Sequence, residues 1–412
     1  MKWGIVMQKY IVLIADGCAD FPQEALDGRT PLAAADIRHL NALAKKGTVG
    51  RARTIPDGIA PGSDTAILSI FGYDPREHYT GRSPLEAAGS GVTLKPGNLS
   101  FRMNLAGVED VDGALVMRSH SGGNIEGEQA IELMDALLAD AEFARELKRL
   151  KMSITVSPSF RHIAVLETSP GAMGTTPPHE IVGQAVGEYL PTGAGEELRA
   201  LMLRSYEALK DHPINRERRA QGKLAANMVW PWGEGSAIEL PSFASLYGLR
   251  GAAVSAVPLV WGIASLCGVA VRKVPTATAD IDTDYEGKAQ AALQALRDGY
   301  DCVFVHVEAP DECSHDGSLE GKLESMRRID GRMVPRLVEG VKEMGADLRL
   351  LVLSDHYTLL STRGHDATPV PYMIYDSGLD TGAGLAFDEA SAEKGGMLDP
   401  ATQILKLLFQ QA

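Results

Sequence analysis

Cysteine is scarce in this chain. Four cysteines in 412 residues, Cys18, Cys267, Cys302 and Cys313, form no C-x-x-C pair. So sparse a set supports no disulfide framework and fits a reducing compartment. Long apolar runs are also missing. No stretch reaches the roughly 18 residues of a membrane span. The opening "MKWGIVMQKYIVLIADG" is broken at Gln8-Lys9 and lacks the apolar core and small-residue cleavage site of an export signal. Positive charge is in deficit, with a net charge of -14. That argues against nucleic acid or an anionic membrane as the main partner, yet leaves room for a small anionic substrate held by local arginines or metal ions. There is no G-x-x-x-x-G-K-[ST], hence no P-loop, and no internal repeat or low-complexity tract. A soluble cytoplasmic protein of two or three domains is the expectation.

What is present alternates between strand and helix. The apolar run Tyr10 to Ala15 ends in Asp16-Gly17, the pattern of a buried parallel strand entering a turn. "TPLAAADIRHLNALAKKG" has helical spacing. The Gly/Pro loop "IPDGIAPG" leads to a helix starting near Ser63, with Ser63 or Asp64 at its cap. In the last third, strand-like "AAVSAVP", "VAVRKVP", "DCVFVHVEAP" and "LRLLVLSDH" alternate with helical "YEGKAQAALQALRDG" and "GSLEGKLESMRRIDGRMVPRLVEGVKEMG". This predicts an α/β fold with a mostly parallel sheet covered by helices on both faces. The middle mixes short strands ("NLSFRMNLAG", "SITVSPSFRHIAVLE") with amphipathic helices, as in an α+β insertion. The expected division is 1–95 and 236–412 as one catalytic, metal-binding α/β domain, because the first segment alone has too few strands for a sheet. Residues 96–235 would be the inserted α+β domain.

Three strand ends deliver metal-type side chains. Asp16 follows the first strand, Asp311 and His315 follow another, and Asp355, His356 and His365 follow a third. In a parallel sheet these ends share one edge. Three Asp and three His suffice for two divalent cations, and a mixed carboxylate/imidazole set suits Mn²⁺ or Zn²⁺ better than Ca²⁺. Such a pair suits phosphoryl transfer. The nucleophile candidate is Ser63 in "APGSDTA", where a helix N-terminus supplies positive potential. The competing role for Ser63 is a plain helix cap.

Together "VLIADG", "PGSDTA", "GYDP…YTGRSPLEAAG", "EAPDECSHDG" and "SDH…RGHDATPVP" resemble the cofactor-independent phosphoglycerate mutases of the archaeal type, within the alkaline phosphatase superfamily. The resemblance runs along nearly the whole chain. It implies an alkaline-phosphatase-like fold with a cap. It implies two divalent ions, Mn²⁺ foremost with Zn²⁺ or Co²⁺ as alternatives, and a phosphorylated Ser63. One ion would be held by Asp311, His315 and His365, the other by Asp16, Ser63, Asp355 and His356. In the cap, His120 and Arg161 resemble substrate-contacting positions, and Arg82 is a further anion-binding candidate. The substrate would be a small phosphorylated sugar acid. Two stretches depart from the archaeal pattern, "NMVWPWGEGSAIELPSF" in place of an Arg-Gly run and "VPTATADIDTDY" without its expected glycines. There the chain resembles a bacterial subgroup, for which the alternative is a phosphotransferase acting on homoserine.

Overall fold

A computed structural model of the chain describes residues 7–380, 382 and 384–410. Residues 1–6, part of the stretch read above for an export signal, lie outside the described residues. Two compact units are present, Met1–Tyr79 with Glu239–Ala412, and Thr80–Ile238.

The first unit is built on an eight-stranded sheet in the order Ala270–Arg272, Gly251–Val254, Cys302–Val307, Met7–Ala15, Ala346–Leu353, Val370–Asp376, Thr48–Ala52, Gly396–Leu398. Most pairings are parallel, and only Val370–Asp376 runs against its neighbours. Ile14 lies level with both His306 and Leu353, so the three central strands end flush. These strands are apolar on both faces because both faces are covered. Ile11, Leu13, Val303, Val305, Leu350 and Val352 pack in one core with Leu293 and Leu337 of the helices Tyr285–Arg297 and Val334–Glu343. On the other face Phe71 stacks on Phe304 at 3.9 Å and Tyr10 meets Phe409 edge-on at 4.9 Å.

Local chemistry shapes the helices. The pattern read as one long helix is two, Leu319–Arg328 and Val334–Glu343, joined by a π turn at Ile329–Met333. Pro335, with no N–H to donate, forces the break. Buried Asp330 in that turn has a second use. Helix Arg38–Ala44 has no side-chain cap of its own, and Asp330 accepts from the backbone N–H groups of His39 and Leu40.

The second unit is antiparallel. The strand Leu99–Val111 pairs with Ala114–Ser119, Arg161–Leu166 and Met228–Ser236, and Met152–Thr155 extends the sheet. Helices Gly127–Ala139, Ala141–Leu150 and Leu198–Leu209 cover its core. The first segment ends at Tyr79, not at residue 95. Helix Arg82–Gly89 is fastened to the second unit's sheet, with Ser83 Oγ donating to Ser100 O at 2.9 Å. The stretch Met228–Ser236, which contains "WPWGEG", is an edge strand, a place where Pro231 is tolerated.

Candidate active site

Asp16 follows the strand Met7–Ala15 directly. Asp311 and His315 lie on the helix Ala309–His315 that opens after Cys302–Val307. Asp355 and His356 follow Ala346–Leu353. The flush ends bring all five to one edge. His365 arrives on a β-hairpin, Tyr357–Leu359 with Gly364–Asp366. Gly17 lets the chain turn between these pieces. Its φ is +62°, and a Cβ there would lie 2.5 Å from Thr358 Oγ1 and 2.7 Å from Asp311 Oδ1.

Two sets of donors converge. His315 Nε2 lies 3.2 Å from Asp311 Oδ2 and 3.0 Å from His365 Nε2, and His365 Nε2 is 3.5 Å from Asp311 Oδ1. His356 Nε2 lies 3.2 Å from Asp355 Oδ2, 3.7 Å from Asp16 Oδ1 and 3.1 Å from Ser63 Oγ. Asp311, His315 and His365 can hold one ion, and Asp16, Asp355 and His356 another. Glu308, which sequence reasoning passed over, joins Asp16 and Asp311 in a third carboxylate cluster.

The donors fit metal ions on two counts. Asp16 Oδ1 and Asp355 Oδ2 are fully buried and have no hydrogen-bond partner among the described residues. Buried carboxylate oxygens left so are costly unless a cation meets them. The imidazoles are also oriented as ligands. Thr358 Oγ1 donates to Asp311 Oδ1 at 2.6 Å and so accepts from His356 Nδ1 at 3.1 Å, leaving His356 Nε2 bare. His315 Nδ1 donates to the Arg363 carbonyl at 2.9 Å, again turning Nε2 inward.

Charge is crowded here. Burial, then the neighbouring Asp355, Asp311 and Glu308 charges, push the Asp16 carboxyl well above its usual range. Burial would raise Asp311 too, but the hydrogen bonds of His315 and His365 outweigh it and hold that carboxyl well below. His315 is lifted to about 9, chiefly by its hydrogen bond to Asp311. Burial lowers His356. Opposite shifts in adjacent carboxylates mark a site short of positive charge.

Ser63 is the first residue of helix Ser63–Ile70, and Gly62 holds the cap position with no side-chain bond. Ser63 is therefore not the cap, contrary to the bland reading. Its half-buried hydroxyl faces His356 instead.

In the second unit Arg82, His120 and Arg161 line one cleft of about 260 Å³ together with Arg102, Asn104, Phe160, His179 and Trp232. Arg102 is the missed member. It lies in the strand Leu99–Val111, its guanidinium 4.2 Å over the Trp232 ring and 3.0 Å from Glu86. Glu86 also accepts from Arg82 Nε at 2.8 Å. Trp232 Nε1 donates to Asn104 Oδ1, and Asn104 Nδ2 to the His120 carbonyl. Burial lowers His120 and His179, so both rings are neutral at pH 7. Three guanidinium groups against one carboxylate leave the cleft positive and shaped for a small anion. A larger cleft of about 430 Å³ in the same unit includes Arg118, Lys210 and Arg219, but Glu109, Glu207 and Asp211 pair with them. The aromatic "WPW" that departs from the expected Arg-Gly run thus supplies the ring beneath Arg102.

Among the described residues no helix is long and apolar enough to cross a membrane. The family described as 2,3-bisphosphoglycerate-independent phosphoglycerate mutase matches residues 44–215. A Geobacter sulfurreducens protein named "Probable 2,3-bisphosphoglycerate-independent phosphoglycerate mutase" is 44% identical, over 95% of this chain and 96% of its own. The Methanosarcina acetivorans protein named 2,3-bisphosphoglycerate-independent phosphoglycerate mutase is 42% identical, over 98% of this chain and all of its own. Among solved structures, the PH0037 protein from Pyrococcus horikoshii is similar with a TM-score of 0.81 and 29% identity, covering 99% of each chain. The cofactor-independent phosphoglycerate mutase from Thermoplasma acidophilum is similar with a TM-score of 0.63 and 26% identity, over 98% of this chain and 99% of its own. Relatives matched end to end are named for phosphoglycerate, and the homoserine alternative falls. By identity along its whole length, this chain belongs to the 2,3-bisphosphoglycerate-independent phosphoglycerate mutases.

Proposed function

We propose that this protein interconverts 3- and 2-phosphoglycerate without bisphosphoglycerate, through a phosphorylated Ser63. The observation that carries the reading is Ser63 Oγ at 3.1 Å from His356 Nε2, beside two ligand sets at the flush ends of adjacent strands. Asp311, His315 and His365 would hold one divalent ion, and Asp16, Asp355, His356 and Ser63 the other. Manganese suits this mixed set, with zinc and cobalt as alternatives. When bound, the ions supply positive charge for the phosphoryl oxygens and lower the serine pKa. Two of them balance the four carboxylates Asp16, Asp311, Asp355 and Glu308.

Ser63 Oγ attacks phosphorus, the bond from phosphorus to the glycerate oxygen breaks, and that oxygen takes up a proton as Ser63 gives one up. Glycerate then turns, its other hydroxyl attacks the phosphorylated serine, and Ser63 regains its proton. In the second unit the cleft of Arg82, Arg102 and Arg161, with His120, has the charge to bind a small carboxylate.

The test is direct. Metal-free protein reconstituted with Mn²⁺ is given 3-phosphoglycerate without bisphosphoglycerate, and 2-phosphoglycerate is followed through enolase. Turnover is expected. A folded, Mn²⁺-loaded protein that leaves 3-phosphoglycerate unchanged overturns the reading.

A further inference from the structure

His306 lies in the strand Cys302–Val307, level with Ile14, and its ring is buried. Both ring nitrogens are engaged. Nε2 is 2.8 Å from Asp16 Oδ2, and Nδ1 is 3.2 Å from Ser255 Oγ. Ser255 follows the neighbouring strand Gly251–Val254, and its Oγ accepts the Val257 N–H at 3.0 Å. Asp16 Oδ2 can only accept, so Nδ1 is the ring nitrogen left to take the Ser255 hydroxyl proton. The ring proton of a neutral imidazole then sits on Nε2 and is donated to Asp16 Oδ2. One oxygen of Asp16 is thereby fastened. The other, Oδ1, is the partnerless one that faces His356 Nε2 at 3.7 Å. A buried ammonium completes the brace from behind, with Lys288 Nζ bonded to the His306 carbonyl at 3.2 Å.

His306 differs here from His315 and His356. Those rings spend Nδ1 on the protein and turn Nε2 toward the other donors of their set. His306 has no bare nitrogen to present. We propose that His306 is a positioning residue, oriented by Ser255, that turns Asp16 so that Oδ1 faces the ion shared with Asp355, His356 and Ser63. The inference rests on the reading that this group holds a divalent ion. It adds that the geometry of that ion is set by a residue one layer further out. Outer partners of this kind carry about 10–100-fold in metal affinity.

A buried ring could also serve only to fill space, and two substitutions separate the roles. The amide of His306→Gln reaches the place of Nε2 and keeps a donor to Asp16. The amide of His306→Asn reaches only the place of Nδ1. Both are polar and smaller than the ring, so a packing role predicts similar losses. The measurement is calorimetric titration of metal-free, full-length protein with Mn²⁺, with circular dichroism confirming the fold. Wild type is expected to take up two ions. His306→Asn should weaken one by about 10–100-fold and leave the other unchanged, while His306→Gln stays within about threefold of wild type. Ser255→Ala should weaken the same ion to a lesser degree, and it carries the test if His306→Asn does not fold. Unchanged affinities in His306→Asn overturn the proposal, as do equal losses in the Asn and Gln variants. An unchanged Ser255→Ala protein removes the orienting role of Ser255 and, where it stands alone, the proposal. A wild-type protein that binds no Mn²⁺ is a separate result, overturning the metal reading itself and this inference with it.

Discussion

Lys322 is fully buried, and replacing it with methionine keeps the stem while removing the charge. Its ammonium bonds the Thr358 carbonyl at 2.7 Å, Asp20 Oδ2 at 3.1 Å and the Ala19 carbonyl at 3.3 Å, using all three protons. Without it, two carbonyls lose a donor inside the protein. Asp20, itself 1% exposed, keeps N–H bonds from Phe21 and Leu360 but loses its counter-charge. Removing one partner of a buried pair costs about 3–5 kcal/mol, because the other charge stays buried. For a unit of this size that is a fall in Tm of about 6–20 °C. Lys322→Met/Asp20→Asn should recover part of the loss, since the stranded charge is then gone. The damage should also reach the chemistry. Ala19 lies just beyond Asp16 and Thr358 just beyond His356, so the ammonium ties together the two loops that carry the ligands. Scanning calorimetry on the single and double variants, with Mn²⁺ titration of each, measures both effects. A Lys322→Met protein less than about 1 kcal/mol below wild type would show that the pair contributes no more than an exposed one, and the reasoning would fail.

Ser63→Ala should abolish turnover by several orders of magnitude while moving Tm little, because Ser63 caps nothing. A folded, metal-loaded variant keeping more than about a tenth of wild-type turnover would exclude the serine as nucleophile. Chelation should remove activity and Mn²⁺ restore it, and full activity in a verified metal-free preparation would refute the ligand assignment. With a pKa of about 9, His315 carries a proton at pH 7 in the metal-free protein, and an incoming ion must expel it. Mn²⁺ affinity at that group should therefore fall by about tenfold per pH unit below pH 9, with proton release seen as buffer-dependent heats. Heats independent of buffer would count against it. Arg102→Lys loses the flat fork that rests on Trp232 and should raise KM for phosphoglycerate by about 10–100-fold with a smaller change in kcat. An unchanged KM would show that Arg102 takes no part in binding phosphoglycerate.

The residues gathered at the sheet edge were legible because each follows a strand whose apolar run is unmistakable, and parallel strands must end on one side. Two kinds of feature were not legible. Buried charges such as Lys288, Lys322, His306 and Arg102 have ordinary sequence neighbours, and only the tertiary partner distinguishes them from surface residues. The clearest trace was Arg102, a charge set between apolar Phe101 and Met103 in the buried part of its strand. Element ends were the other gap. Asp140 splits one apparent helix by capping the next through Phe143 N, and Pro335 splits another. The first segment's end at Tyr79 depended on where helix Arg82–Gly89 docks, which no local pattern records.

The central strand Met7–Ala15 is made long before the strands it pairs with. Asp16 meets His306 290 residues later, and Gly17 meets Asp355 338 residues later. At about 5–20 residues per second, the ribosome needs about 15–60 s to supply even the nearer partner. Throughout that time an apolar strand with two open edges waits on the nascent chain, the sort of segment that chaperones shield. The ordering also safeguards the cell. Both ligand sets draw on residues beyond 350, so a chain released before that point by a stalled or terminated ribosome lacks part of each. Phosphate chemistry at this sheet edge is confined to chains that extend past His365.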